Sequence, residues 1–449
     1  MSNNRMSAYI ALLIVLIIGV VINIFPILPR VPISDYETEL LQQVLTLKGS
    51  NIATVLHQWN GGNVITTMYA YVCNLIFGIE GTSNAIFWLR FPSAAITAIL
   101  TICLFRFDRT SEKIGNSFVV SLVFLGSLYV SMLSYNANPV MISAALTILS
   151  FVSMYHWLRR QTTKNAILMC IATSANIIIT GTVPLASMAL TGILFILTVR
   201  PHRKRGIAVL MPILALSAIA AFAVMYVLSG DFGMAKAPFT KALAITVHLD
   251  EVGISGIAPI DYFLLSALPW SVPMLIALPW AIMNWKSTSE TLNHMTMVQR
   301  FGIIVFITSL PLFFFYSEYS YVMLLACVFF NAPVLGNLLI TQFNKHADAW
   351  RITGVGCWIL FAIATSLFVW LNMGHTLFGL SIPGHQWTYW NIILTVSIAI
   401  SLYTLTRNWR EVHRNHRFFF NLIVLYMLFQ NLFFGYILQS LYYQGTAII

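Results

Sequence analysis

Charged residues are scarce in this chain: Asp, Glu, Lys and Arg together make up 8% of its 449 residues. A soluble globular domain carries about 25% charged residues, so the shortage excludes an ordinary water-exposed surface over most of the chain. Hydrophobic residues reach 59%, and the mean hydropathy is +0.81. Since no polar stretch is long enough to build its own core, we expect a single all-α transmembrane domain over residues 1–449, without a soluble carboxy-terminal domain.

Cysteine is also rare, with 5 residues scattered along the chain. They show neither a paired disulfide framework nor metal-ligand spacing, and we interpret them as small buried hydrophobic residues. His375 and His385 have no carboxylate at metal-ligand spacing either. The sequence therefore implies no divalent metal and indicates no other cofactor.

Apolar runs of roughly twenty residues, the length that crosses a bilayer as a helix, recur from end to end. They predict a polytopic membrane protein with about thirteen transmembrane helices. The predicted spans are 8–28, 91–107, 117–134, 139–157, 165–181, 183–199, 206–228, 261–283, 301–316, 321–340, 352–371, 389–406 and 418–440.

The basic residues are distributed unevenly between the connections. Most of the 24 lysines and arginines fall in alternate loops, in phase with Arg5 before the first span. Because cytoplasmic loops are enriched in Lys and Arg, we expect a cytoplasmic amino terminus in a bacterial inner membrane and a periplasmic location for the acidic loops. Topology and anionic lipid headgroups account for the net charge of +10 without a nucleic-acid partner.

Three predicted outer loops are long enough to fold: 29–90, about 229–260 and about 372–388. The first loop is the most informative, because Asp35, Glu37 and Glu39 all lie within five positions. Charge is costly near lipid and persists where it has a function or access to water. This loop is therefore the first candidate for a chemical site.

The first loop also contains two predicted helices. Leu40, Leu41, Val44 and Leu45 recur at helical spacing and predict an amphipathic helix from Tyr36 to Lys48, with Glu37 and Glu39 off the apolar stripe. The stretch Val64–Phe77 is apolar but short. We expect an interfacial or re-entrant helix there, because a full span would move every later basic loop to the outer side.

Several motifs follow one another in a recognisable order: Ser34-Asp35-Tyr36-Glu37, Leu89-Arg90-Phe91-Pro92-Ser93-Ala94, Thr180-Gly181-Thr182-Val183-Pro184 and Leu268-Pro269-Trp270-Ser271-Val272-Pro273. Together with one apolar span before the acidic loop, this order resembles the GT-C superfamily of polytopic glycosyltransferases. The nearest similarity is to the lipid A aminoarabinose transferases and the protein O-mannosyltransferases. The resemblance implies transfer of a sugar from a polyprenyl-phosphate donor to a lipid, glycan or protein acceptor at the periplasmic face.

The resemblance and the chemistry together select candidate residues. Inverting transfer needs a base for the acceptor proton, which we assign to Asp35, with Glu37 as the second choice or a partner. The departing phosphate needs cations or N–H donors, for which the candidates are Arg90, Lys236, Lys241 and His57. Candidates for acceptor or sugar contacts are Trp59, Asn63 and Asn138.

Several of the acidic and other candidate residues also have a purely structural interpretation. Asp35 is an N-cap residue type, Glu37 and Glu39 suit the positive end of a helix dipole, and Arg90 can be an interfacial anchor. Asn138 can cap a helix before Pro139, and tryptophans are common at bilayer edges.

Departures from the family pattern motivate a second hypothesis. Tyr36 separates the two acids that are adjacent in the family, and Glu318 stands where a lysine is expected. A catalytically degenerate protein that binds polyprenyl lipid or partners an active enzyme is therefore the alternative. A transporter is a third possibility, although it calls for ionisable residues inside the spans, and the sequence offers few.

Overall fold

The computed structural model describes residues 35–47, 64–78, 82–108, 114–135, 137, 140–199, 205–243, 295–315 and 317–345. All regular structure within these ranges is helical, as predicted. In chain order the helices are α1 (Asp35–Thr46), α2 (Val64–Phe77), α3 (Thr82–Asp108), α4 (Ile114–Leu125), α5 (Leu128–Tyr135), α6 (Val140–Arg160), α7 (Thr163–Thr180), α8 (Val183–Val199), α9 (Arg205–Ser229), α10 (Phe232–Leu243), α11 (Met297–Phe315) and α12 (Ser317–Lys345).

Four stretches among these helices are long and apolar enough to cross a bilayer: Ala85–Asp108, Val140–Arg160, Thr163–Thr180 and Gly206–Ser229. Shorter apolar stretches lie in α8, α11 and α12. The protein is therefore an integral membrane protein with a helical transmembrane region, as the composition predicts. The predicted spans 8–28, 261–283, 352–371, 389–406 and 418–440 lie outside the described residues.

One predicted span is interrupted in the structure. The span predicted at 117–134 is two helices, α4 and α5, which are separated at Gly126 and Ser127. The hydroxyl of Ser127 donates to the carbonyl oxygen of Val123 at 2.9 Å, and that of Ser131 donates to the carbonyl oxygen of Ser127 at 3.3 Å. These hydroxyls satisfy backbone acceptors at the break, which makes an interruption tolerable in an apolar environment.

The loop predicted at 229–260 begins with a helix, α10, which the sequence analysis did not anticipate. Gly230 adopts a positive φ of 67° and ends α9. The carboxylate of Asp231 accepts a hydrogen bond from the backbone N–H of Gly233 at 2.9 Å and so caps α10. Helix α10 then packs against α9 and α7.

The core of the bundle is rich in aromatic side chains. Helix α12 packs against α11, α4 and α6, and therefore lies at the centre of the packed helices that the structure describes. Phe329 and Phe330 of α12 lie with their ring centroids 5.6 Å from Phe124 and 5.5 Å from Phe301, respectively. Edge-to-face pairs of this kind add to the burial energy. A side chain at Gly302 would overlap the carbonyl oxygen of Phe330, so α11 and α12 approach closely at this glycine.

Neighbouring helices are also joined by short polar side chains. The hydroxyl of Thr147 on α6 donates to Asn176 Oδ1 on α7 at 3.0 Å, and the hydroxyls of Thr191 on α8 and Thr308 on α11 lie 2.6 Å apart. Ser174 Oγ on α7 donates to a carbonyl oxygen of α9 at 2.9 Å. In lipid, helices associate through van der Waals packing together with interhelical hydrogen bonds such as these, rather than through a hydrophobic driving force.

One end of the bundle carries a cap, which we define as α1, α2 and residues 82–91 of α3. Its core consists of apolar residues from all three helices together with a residue of the α5–α6 connection: Leu40, Val44, Leu47, Tyr69, Ala70, Cys73, Ala85, Leu89 and Ala137. The two cap helices predicted in the first loop are confirmed, with bounds that differ from the prediction by one or two residues in α1 and not at all in α2. Helix α2 is about 21 Å long, too short for a bilayer core of about 30 Å.

Candidate functional site

Helix α1 places the acidic motif of the first loop. Asp35 is its first residue, and Leu40 and Val44 are fully buried against the cap core. Glu37 precedes these residues at i−3 and i−7 and therefore occupies the same helix face. The prediction that Glu37 lies off the buried stripe is wrong: its residue is 1% exposed.

The reason Glu37 can be buried is an ion pair with Arg90. The Arg90 Nε donates to Glu37 Oε1 at 3.0 Å, and Nη2 donates to Oε2 at 2.8 Å. Both side chains are almost fully excluded from solvent, at 0% for Arg90 and 2% for Glu37. A bidentate, charge-assisted arrangement is the strongest common form of this contact, and an unpaired charge at this depth would be very costly.

A third group completes the site. The backbone N–H of Ala137, in the connection between α5 and α6, donates to Glu37 Oε1 at 2.9 Å. The Glu37 carboxylate thus joins α1 to α3 and to the α5–α6 connection through residues 53 and 100 positions away in sequence. We call Glu37, Arg90 and the Ala137 amide the clamp.

Arg90 lies deeper in its helix than the sequence suggested. The predicted span begins at Phe91, whereas α3 begins at Thr82 and its apolar stretch begins at Ala85. Arg90 is therefore an ionisable residue near the beginning of a candidate span rather than the residue before it. Such residues are rare, face the protein interior and mark functional sites more often than other positions in a span.

Arg90 heads a polar stripe on α3. Ser93, Thr97 and Thr101 follow at intervals of three to four residues, and all are buried. The hydroxyl of Thr97 donates to the carbonyl oxygen of Ser93 at 2.9 Å, and that of Thr101 donates to the carbonyl oxygen of Thr97 at 2.7 Å. The stripe shows which face of α3 is directed inward, and Arg90 lies on it.

Helix α2 closes the cap over the clamp. The Tyr69 hydroxyl donates to the carbonyl oxygen of Leu89, the residue before Arg90. Burial raises the pKa of the Cys73 thiol to about 12. The rings of Phe77 and Trp88 stack with centroids 4.7 Å apart, and Phe91 meets Phe77 edge to face at 5.8 Å. These contacts hold α2 across the first turns of α3.

The predicted site residues are only partly brought together. Glu37 and Arg90 are in direct contact, whereas Lys236 lies exposed on α10, which packs against α9 and α7. Asp35 and Lys241 have described backbone positions at the start of α1 and in the last turn of α10, but their side chains lie outside the described part of the structure. The roles of these residues as base and phosphate ligands stay predictions.

Several other predicted residues lie outside the described ranges: His57, Trp59, Asn63 and Asn138. Ala137, between two asparagines of the motif Asn136-Ala137-Asn138-Pro139, was not anticipated as part of the site. Its contribution is a backbone N–H, which leaves no trace in residue type. The only available signal was the position of the motif at a predicted span boundary.

The geometry has clear chemical consequences. Both oxygens of Glu37 accept hydrogen bonds, and the Arg90 guanidinium directs two donors at them. In this arrangement the Glu37 and Arg90 side chains hydrogen-bond to each other and neutralise each other's charge. Neither therefore presents its full hydrogen-bonding capacity to a substrate. Among the described residues, no group of three or more His, Cys, Asp or Glu side chains is arranged to hold a metal ion.

Comparison with known proteins adds no family assignment: no protein-family model matches the chain, and a search of curated proteins finds no match. The resemblance to GT-C enzymes therefore rests on the motifs and their order along the chain.

Proposed function

We propose that this protein is a GT-C-like glycosyltransferase that moves a sugar from a polyprenyl-phosphate donor to a lipid, glycan or protein acceptor, with inversion. The amino terminus is cytoplasmic, and the cap faces the periplasm of a bacterial inner membrane. This orientation follows from the Lys and Arg distribution.

The observation that carries the proposal is the attachment of α1 to the transmembrane bundle by a buried ion pair. In the resembling family, the acidic motif of the first loop supplies the catalytic base. Here that motif begins a helix that is fixed at one end of α3, a candidate span. A base held on a rigid element at the membrane surface suits a donor whose lipid is in the bilayer and whose sugar is outside it.

The proposed reaction involves one proton transfer and one substitution. Asp35 accepts the proton from the acceptor hydroxyl or amine, whose oxygen or nitrogen attacks the anomeric carbon. The bond between the anomeric carbon and the phosphate oxygen breaks as the new bond forms. Polyprenyl phosphate leaves with the bonding electron pair.

Negative charge develops on the leaving phosphate and requires positively charged neighbours. Lys236 and Lys241 lie on the same helix, α10, and are the proposed phosphate contacts, together with His57. Arg90 is not among the proposed phosphate contacts, because the Glu37 carboxylate neutralises its charge. Trp59, Asn63 and Asn138 are the proposed contacts to the sugar or acceptor.

One observation favours a second function. Glu37 and Arg90, the two candidate site residues whose side chains are buried in the described structure, satisfy each other. Charges that neutralise each other are not available to a reacting sugar phosphate, which favours a protein that binds polyprenyl lipid without transferring a sugar. The second candidate is therefore a lipid-binding or accessory protein with a GT-C-like architecture.

A transfer assay separates these two functions. Purified protein in lipid nanodiscs receives a panel of radiolabelled polyprenyl-phosphate sugars, with membrane extract as the acceptor. We expect the wild type to move label to an acceptor and Asp35→Asn to abolish the movement, because an amide cannot accept the proton.

Glu39→Gln is the matched control, since it removes the same charge from the same helix at a position without a proposed catalytic role. Transfer that is unchanged in Asp35→Asn removes Asp35 from the mechanism. Label that binds but never moves, in wild type and both variants, supports the lipid-binding function instead.

A further inference from the structure

The clamp adds directional contacts to a helix that is also held by apolar packing. Leu40 and Val44 hold α1 against the cap, but apolar contact is non-directional and proportional to area. Such a stripe selects the buried face of α1 but supplies no directional contact. The bidentate bond from Arg90 to Glu37 supplies one, because its two N–H donors have a fixed spacing and plane.

The clamp acts at the first turn of α1. Glu37 is two residues, about 3 Å of helix rise, from Asp35, the first residue of α1. Its third bond, from the Ala137 amide at 2.9 Å, fixes the same carboxylate to a second part of the bundle. Because hydrogen bonds reach the Glu37 carboxylate from both α3 and the α5–α6 connection, they fix the position of Glu37 relative to the bundle and not only its distance from Arg90.

We infer that Glu37 and Arg90 are positioning residues, which set the place of the Asp35 backbone relative to the transmembrane bundle. This inference rests on the proposed function, because it assigns Glu37 and Arg90 to the support of the base rather than to substrate contact. The Ala137 amide completes the support. An error of about 1 Å in the place of a catalytic group can reduce a rate about a hundredfold.

The test compares Glu37→Gln and Arg90→Lys with wild type and with Arg106→Lys, a matched arginine substitution at an exposed position of the same helix. Glu37→Gln keeps the shape and one acceptor oxygen but loses the charge. Arg90→Lys keeps the charge but loses the bidentate fork. The kcat and the KM for the donor are measured for the part of the transfer that Asp35→Asn abolishes. The amide hydrogen exchange of residues 38–46 is measured in the same nanodiscs.

We expect both clamp variants to lower kcat about a hundredfold while the KM for the donor changes less than about threefold, and Arg106→Lys to behave as wild type. We also expect the amides of α1 to exchange at least about tenfold faster in both clamp variants, because local opening becomes easier.

Two kinetic results overturn the inference. A normal kcat per folded molecule in both clamp variants indicates a purely structural pair. A raised donor KM in Arg90→Lys, with a normal KM in Glu37→Gln, indicates that Arg90 binds the donor directly.

Hydrogen exchange separates this inference from the proposed function. If the wild type transfers no sugar, the proposed function fails. Faster exchange of α1 in both clamp variants then still supports the positioning of α1, and exchange equal to that of Arg106→Lys overturns it.

Discussion

Breaking the clamp from one side is predicted to destabilise the fold more than removing both charges. Arg90→Met leaves the Glu37 carboxylate buried without its two guanidinium donors. Removing one partner of a buried ion pair typically costs about 3–5 kcal/mol, because the remaining charge is uncompensated. The cost in Arg90→Met is expected in this range.

The double variant Glu37→Gln with Arg90→Met removes both charges at once. The neutral glutamine keeps an oxygen that can accept from the Ala137 amide, and the methionine fills part of the arginine volume. We expect the double variant to be more stable than Arg90→Met alone, with a coupling of about 0.5–3 kcal/mol between the two positions.

The measurement is a double-mutant cycle on the unfolding free energy, obtained by denaturant titration of the wild type, both single variants and the double variant in the same lipid. Arg106→Lys again serves as a control for an arginine substitution on α3. If the two single costs add without coupling, the two side chains do not depend on each other, and the reasoning from the ion pair is refuted.

Three further predictions concern packing in the described helices. Gly302→Ala is expected to destabilise the protein by about 1–3 kcal/mol, because the added methyl overlaps a backbone carbonyl oxygen of α12. The control Gly233→Ala should leave stability unchanged or slightly raised, since the nearest neighbour of its added methyl lies at 3.5 Å. Equal effects of the two substitutions in thermal unfolding would contradict the close approach of α11 and α12. Cys73 should not react with maleimide at about pH 8.5, since burial raises its pKa to about 12. A cysteine that replaces Leu75, which is 70% exposed, should react under the same conditions. Peptide mapping by mass spectrometry measures the labelling of both positions, and labelling of Cys73 would contradict its burial. Asn176→Leu should cost about 0.6 kcal/mol, the usual value of one interhelical hydrogen bond in a membrane protein; no measurable loss in denaturant titration would show that the bond to α6 contributes little.

The same Cys73 thiol predicts a pH effect on stability. Its folded pKa is raised from 9.0 to about 12 by burial, so below pH 9 the thiol is protonated in both the folded and unfolded states. As the pH rises from 9 to 12, the unfolded thiol ionises while the buried one does not, and stability is lost. Cys73→Ala should remove this part of the alkaline loss, and an unchanged alkaline midpoint in denaturant titration would assign the loss to other groups.

The sequence predicts the helices well where composition alone determines them. Span 183–199 matches α8 residue for residue, and Val64–Phe77 matches α2. In both stretches nearly every residue is apolar or small, and turn residues mark the ends. A helix satisfies its own backbone, so such a segment needs no distant partner to define its limits.

The prediction was less accurate at the break between α4 and α5, which side-chain hydroxyls four residues away in sequence support. The break at Gly126 and Ser127 lies inside a continuous apolar run, which hydropathy interprets as one helix. The hydroxyl bonds that support this break come from serines that equally suit an unbroken helix. Periodicity therefore could not separate the two outcomes.

The clamp shows the same limit at the candidate site. Glu37 and Arg90 were both selected from the sequence, but for separate roles, because nothing local links residues 53 positions apart. One signal was present: Glu37 shares its helix face with Leu40 and Val44. A charge in register with a buried stripe requires a buried partner, and Arg90 likewise begins the polar inward face of α3.

Stability alone does not explain why a charged pair occupies this place. Replacing a buried ion pair by apolar residues of similar volume is often neutral or stabilising, and the cap already has an apolar core around Leu40 and Val44. What the pair adds is direction: two parallel hydrogen bonds from Arg90 and a third from the Ala137 amide meet on one carboxylate. Such geometry determines where the first turn of α1 lies, and Asp35 is the first residue of that turn. The cost of burying the pair is therefore best explained by the position that it enforces on the acidic motif.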